Sequence, residues 1–115
     1  MKLDDMARRL SLQVVTPPPD PQREVVGGYA SDLLSCVMAR AKAGYIWVTL
    51  QSHPNVVAVA SLLDLAGVII TEDAPIEAGA VQKASEEGVA LYSTPLTTYT
   101  VVARLAAAGV PGNDP

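Results

Sequence analysis

Between residues 45 and 71 the chain reads Tyr45-Ile46-Trp47-Val48-Thr49, a polar loop ending in His53-Pro54-Asn55, an apolar segment from Val56 to Leu63, and then Val68-Ile69-Ile70-Thr71. The two flanking runs are β-branched and apolar at successive positions, so neither face of the strand they form is suited to water. A parallel sheet covered by helices on both sides requires such runs. Working outward, Val25-Val26 precedes this block and Val89-Ala90-Leu91-Tyr92-Ser93 follows it, so that the plan of apolar run, loop and helical segment recurs about every 21 residues. The expected fold is therefore α/β: a small, mostly parallel sheet of about four to five strands, built from repeated βα units with helices on its faces.

The helices announce themselves by their ends. The first of the repeat has Ser31 as candidate N-cap, Asp32 in the first turn and Gly44 as terminator, with Leu33, Leu34, Val37, Met38 and Ala41 as its expected buried stripe. The second, from about Asn55 to Ala66, carries so many apolar residues that one stripe cannot account for them. Part of its outer face is expected to meet a second copy of the chain, with Val57, Ser61 and Asp64 as the interface. The third, roughly Ile76 to Glu87, should turn Ile76, Ala80 and Ala84 inward, and the last, about Thr97 to Ala108, should bury Tyr99, Val102, Leu105 and Ala106. Ahead of the repeat, Leu3, Met6, Ala7 and Leu10 mark a short amphipathic helix, Leu12 to Val15 an edge strand, and Pro17, Pro18, Pro19 and Pro21 a stiff connector. The 115 residues thus read as one domain, with a helix and edge strand in 1–23, a repeat core in 24–109 and a frayed tail in 110–115.

Composition excludes several classes of function. Half the residues are hydrophobic and the net charge is −4; phosphate backbones need clustered Lys and Arg, so nucleic acid is not an expected partner. No apolar run approaches the ~20 residues of a membrane span, and the N-terminus lacks a secretion signal, so no membrane partner and a cytoplasmic location are expected. With a single cysteine, Cys36, and a single histidine, His53, the monomer is not expected to hold zinc or an iron–sulfur cluster, and no other cofactor is indicated.

Open parallel sheets bind ligands beyond the carboxyl ends of their strands, where loops feed into helix N-termini. Candidate contacts on that rule are Gly27, Gly28, Ser31 and Asp32; Thr49, Gln51, Ser52, His53 and Asn55; Thr71; and Ser93, Thr94 and Thr97. Their hydroxyl and amide groups suit an anionic metabolite or nucleotide. The same residue types also favour caps and turns. The glycine pair is read as a tight turn or phosphate cradle, but it lacks both the GxGxxG spacing and the P-loop lysine. No carboxylate or nucleophile is placed beside His53 by spacing, so no catalytic residue is assigned; a small enzyme using His53 with Glu72 or Asp73 stays as a lesser alternative. The adjacent carboxylates of Glu72 and Asp73 are read as a solvated loop rather than a metal site.

Several of these stretches resemble the DRTGG-domain family: Val26-Gly27-Gly28-Tyr29, Ser31-Asp32-Leu33-Leu34-Ser35, Trp47 through His53-Pro54-Asn55, and Pro75 to Ala84 with Gly88-Val89. The resemblance covers about residues 25 to 108 and looks like the small stand-alone branch, although the literal run that names the family is absent. It implies a fold similar to the N-terminal domain of HPr kinase/phosphorylase and a non-catalytic, regulatory and dimerising role, as for the members found beside CBS pairs and in regulated pyrophosphatases. It carries over no catalytic residues. The expectation is a ligand-sensing homodimeric module; the alternative is an accessory protein partner of a redox or kinase complex without a small ligand.

Overall fold

A computed structural model describes residues 1–112. In chain order the elements are α1 (Leu3–Arg9), β1 (Gln13–Thr16), β2 (Gly27–Ala30), α2 (Leu34–Arg40), β3 (Tyr45–Thr49), α3 (Pro54–Leu62), β4 (Gly67–Ile70), α4 (Ala78–Glu87), β5 (Leu91–Ser93) and α5 (Thr98–Ala107). The five strands form one sheet in the order β1-β5-β4-β3-β2. β2 to β5 are parallel neighbours, and β1 runs antiparallel to β5 at one edge.

The two-sided apolar runs explain the layering. Along β3, Tyr45 and Trp47 face one core while Ile46 and Val48 face the other, and β4 divides Val68 and Ile70 from Ile69 in the same way. This is the period-two alternation of a pleated strand whose faces are both dry. Each parallel strand is the immediate neighbour of the one before it, so crossovers of a single hand place α2, α3 and α4 on one face. The opposite face is covered by α1, through Leu3, Met6 and Leu10, and by α5, through Val101 and Leu105.

Several expectations need correction. The first strand of the repeat is Gly27–Ala30 rather than Val25-Val26. Val25 and Val26 instead donate their amides to the carbonyls of Met1 and Gly44, which ties the N-terminal helix to the sheet before β2 begins. In α2, Leu33 and Met38 are exposed and Val37 is the buried residue, because the helix starts only at Leu34. In α5 the buried face is Val101 and Leu105, whereas Tyr99 is 85% exposed and Val102 and Ala106 are exposed as well. The tail is anchored at its start: Val110 is buried, and the Pro111 carbonyl accepts the Gly28 amide at 2.9 Å. The expected fraying of residues 113–115 lies outside the described residues.

The apolar composition of α3 has an intramolecular explanation. As the middle helix of its layer, it packs on the sheet and also against α2 and α4, so it buries more than one stripe. Val57 is fully buried in this core and cannot be an interface residue, while Ser61 and Asp64 are exposed. Asp64 is engaged within the chain, accepting from both Arg23 guanidinium nitrogens through Oδ1 at 3.0 Å and its carbonyl at 2.7 Å.

Candidate functional site at the strand ends

The carboxyl ends of β3, β4 and β5 each lead into a buried threonine: Thr49, Thr71 and Thr94. A hydroxyl buried beyond a strand needs a partner, and each finds one in a loop or at a helix start. Thr49 Oγ1 donates to Asp32 Oδ1 at 2.7 Å and accepts from the Gln51 amide at 3.1 Å. Thr71 Oγ1 lies 2.7 Å from Thr98 Oγ1, and Thr94 Oγ1 accepts from the Leu96 amide at 3.2 Å. The three threonines are therefore committed to holding the loops in place.

Asp32 is the hub of the first cluster. Its Oδ1 also accepts from the Leu50 amide at 3.0 Å, and its carbonyl accepts from Gln51 Nε2 at 2.7 Å, so it clamps the β2–α2 loop to the β3–α3 loop. Beneath it the Trp47 indole donates to the Ser31 carbonyl at 2.9 Å, and Ser31 Oγ accepts from the Leu33 amide at 3.1 Å. The second cluster joins β4 to α5. Glu72 and Asp73 both have positive φ, 61° and 54°, a region that non-glycine residues seldom occupy. Their amides are secured there by the carbonyls of Leu96 and Thr94. Glu72 Oε2 in turn accepts from the Thr98 amide at 3.2 Å, placing a carboxylate on the positive end of α5. The clusters meet where the Thr71 amide donates to the Thr49 carbonyl.

His53 caps α3: its Nδ1 accepts from the Asn55 amide at 3.0 Å. That bond requires the proton of a neutral ring to sit on Nε2, which leaves an outward donor. Thr97 caps α5 by accepting from the Thr100 amide at 3.3 Å. Gln51, His53, Asn55 and Thr97 are exposed, and Ser52 and Ser93 are half-buried, so these positions form the accessible rim. The rim loops contain the carboxylates of Asp32, Glu72, Asp73 and Glu77 and no lysine or arginine. Among the described residues no group of His, Cys, Asp and Glu side chains is arranged to hold a metal ion.

Gly27 and Gly28 are not part of this rim. Both lie within β2, and neither has positive φ, so they form neither a turn nor a phosphate cradle. Gly27 is there because the Tyr45 ring occupies the space a side chain would take, with Cε1 2.5 Å from a Cβ built on the glycine. Thr98 and the Glu72 carboxylate, by contrast, belong to the site and were not among the expected contacts. The run of hydroxyls Thr97, Thr98 and Thr100 was the signal for Thr98 in sequence, while Glu72 stood there as a solvated loop carboxylate or a partner of His53 in the lesser enzyme alternative.

No protein-family model matches the chain, and no curated protein sequence does. Among solved structures the fold is similar to the CBS and DRTGG domains of the regulatory region of Clostridium perfringens pyrophosphatase, solved in complex with the activator diadenosine tetraphosphate. The TM-score is 0.73 at 15% sequence identity, over 97% of this chain and 48% of that one. The likeness is one of fold; the present chain spans about half the length of the pyrophosphatase region it matches.

Proposed function

We propose that this chain is a non-catalytic, ligand-sensing regulatory module of DRTGG type that works as a homodimer and binds a nucleotide across the carboxyl ends of β3, β4 and β5. The observation that carries this reading is the continuity of the strand-end ties. Asp32, Thr49 and Gln51 join the first two loops, while Thr71, Glu72 and Thr98 join the last two. A ligand touching any exposed rim position would therefore shift loops belonging to all four parallel strands, which a sensor needs in order to turn occupancy into a change of shape. The polar groups are largely spent on one another, and the His53 Nδ1 that a catalytic dyad would use is engaged in capping α3. The fold likeness to a nucleotide-activated regulatory region supports the ligand class. With carboxylates as the charged groups of the rim and the Asn55, Thr98 and Thr100 amides already donating within the chain, a phosphate would rely on His53 Nε2 and on displacing one of those amide bonds, and a ribose would be met by Gln51, Ser52 and Asn55.

The test is a thermal-shift series with AMP, ADP, ATP and diadenosine tetraphosphate, followed by amide NMR with any stabiliser. A ligand that binds only the native state raises the melting temperature in proportion to ln[ligand] once it is well above Kd. The expected result is stabilisation by at least one nucleotide, with perturbations centred on His53, Asn55 and Thr97, and weakened by His53→Ala. No stabilisation by any of them would overturn the nucleotide reading, and a strictly monomeric protein in sedimentation would overturn the dimer.

A further inference from the structure

The charge distribution points to a second site, away from the strand ends. The chain has eight lysines and arginines. Arg8, Arg23 and Lys83 are paired with Asp5, Asp64 and Glu87, and Lys2 donates to Gln22. Arg9 and Arg104 have no carboxylate partner among the described residues; the single contact of the Arg9 guanidinium is a weak one, 3.8 Å to the Met1 sulfur. These two arginines come from different helices, α1 and α5, yet they line the same surface groove of about 270 Å³, together with Leu10, Ala107 and Ala108. An acidic protein has thus brought two unpaired guanidinium groups to one concavity whose remaining walls are apolar.

Each arginine lies in the last turn of its helix, where a cation complements the negative end of the dipole. That does not exhaust their role, because several of the helix-end carbonyls already accept from backbone amides. At the end of α1 the carbonyls of Met6, Ala7 and Arg8 accept from the amides of Leu10, Leu12 and Ser11, with Ser11 at φ 54°. At the end of α5 those of Arg104, Leu105 and Ala106 accept from Ala108, Val110 and Gly109, with Gly109 at φ 94°. Both helix ends are closed by left-handed residues, and the groove sets the two guanidinium groups beside Leu10, Ala107 and Ala108. Two arginine forks over an apolar floor suit a compact, multiply charged oxyanion, to which guanidinium binds with paired hydrogen bonds.

We propose that Arg9 and Arg104 form a binding site for a phosphate group in the groove between α1 and α5, separate from the strand-end rim. The experiment titrates the isotopically labelled protein with inorganic phosphate at constant ionic strength, with chloride as the control salt. The expected result is saturable movement of the Leu10, Arg104, Ala107 and Ala108 amides with a Kd on the order of 1–10 mM. Arg9→Gln and Arg104→Gln should each weaken binding about tenfold, as for loss of one charge-assisted contact, while lowering the melting temperature only slightly, by the loss of one exposed charge at a helix C-terminus. Equal affinity in the parent and both variants would overturn the proposal, as would shifts confined to His53, Asn55 and Thr97, or chloride reproducing the shifts. Shifts confined to the strand ends would count for the rim and against the groove, so the two sites fail separately.

Discussion

Alanine at Gly27 and alanine at Gly28 should act with opposite sign, although the two glycines are adjacent in the same strand. At Gly27 a new Cβ would lie 2.5, 2.7 and 3.0 Å from Cε1, Cζ and Cδ1 of Tyr45, against carbon–carbon contacts of about 3.5–4.0 Å. The ring must retreat by about 1 Å, and Tyr45 is buried in the core shared with α2 and α3, so its neighbours must move as well. Overpacking of this kind costs about 1–3 kcal/mol. At Gly28 the new Cβ would meet Val110 Cγ1 at 3.5 Å and Ile46 Cγ2 at 3.6 Å, which is ordinary contact. The Gly28 amide keeps its bond to Pro111, and the lowered entropy of the unfolded chain should stabilise the protein by about 0.4–1 kcal/mol. The variants should therefore differ by about 1.5–4 kcal/mol. Urea unfolding followed by the fluorescence of Trp47, the single tryptophan, would read the difference. Replacing Tyr45 by Leu in the Gly27→Ala background should recover part of the loss. If Gly27→Ala were as stable as the parent, or Gly28→Ala were the weaker of the two, the assignment of these residues to a packed strand would be wrong.

Two further perturbations address the opposite face and the strand ends. The Tyr92 phenol is pushed up from 10.0 to about 12, by burial first and the Asp4 charge second. Because the unfolded chain then releases this proton before the folded one does, the contribution is fully present below about pH 10 and is lost as pH rises toward 12. Tyr92→Phe should flatten that alkaline limb in denaturant midpoints measured across this range; an unchanged limb would assign it to other groups. Asp32→Ala removes the acceptor shared by Thr49 and Leu50 and leaves the Thr49 hydroxyl, buried at the end of β3, without that partner. It should lower stability by about 1–3 kcal/mol and accelerate amide exchange at Leu50 and Gln51, whereas a change within 0.5 kcal/mol would mean that the clamp is not formed.

What the sequence determined by itself was the layered class of the fold. Tyr45 to Thr49 and Val68 to Thr71 are apolar on both faces of a strand, and only a sheet covered on both sides keeps such runs dry. The edge strand near Val14, the inward Ala80 and Ala84, and the buried Leu3, Met6 and Leu10 followed from local periodicity in the same way. Tertiary structure decided the rest, because it depended on what lay opposite. The apolar excess of α3 reads identically whether a second copy or two neighbouring helices cover it, and its middle place in the layer assigned Val57 to the core. Gly27 and Gly28 carry the signature of a turn, yet the Tyr45 ring across the register makes Gly27 a packing requirement. The strand-end threonines were legible as polar positions but not as pairs, since Thr71 and Thr98 are 27 residues apart and meet only through the sheet. The Arg9–Arg104 groove was hidden for the same reason: a charge pair contributed by the first and last helices exists only once both cross the same face of the sheet.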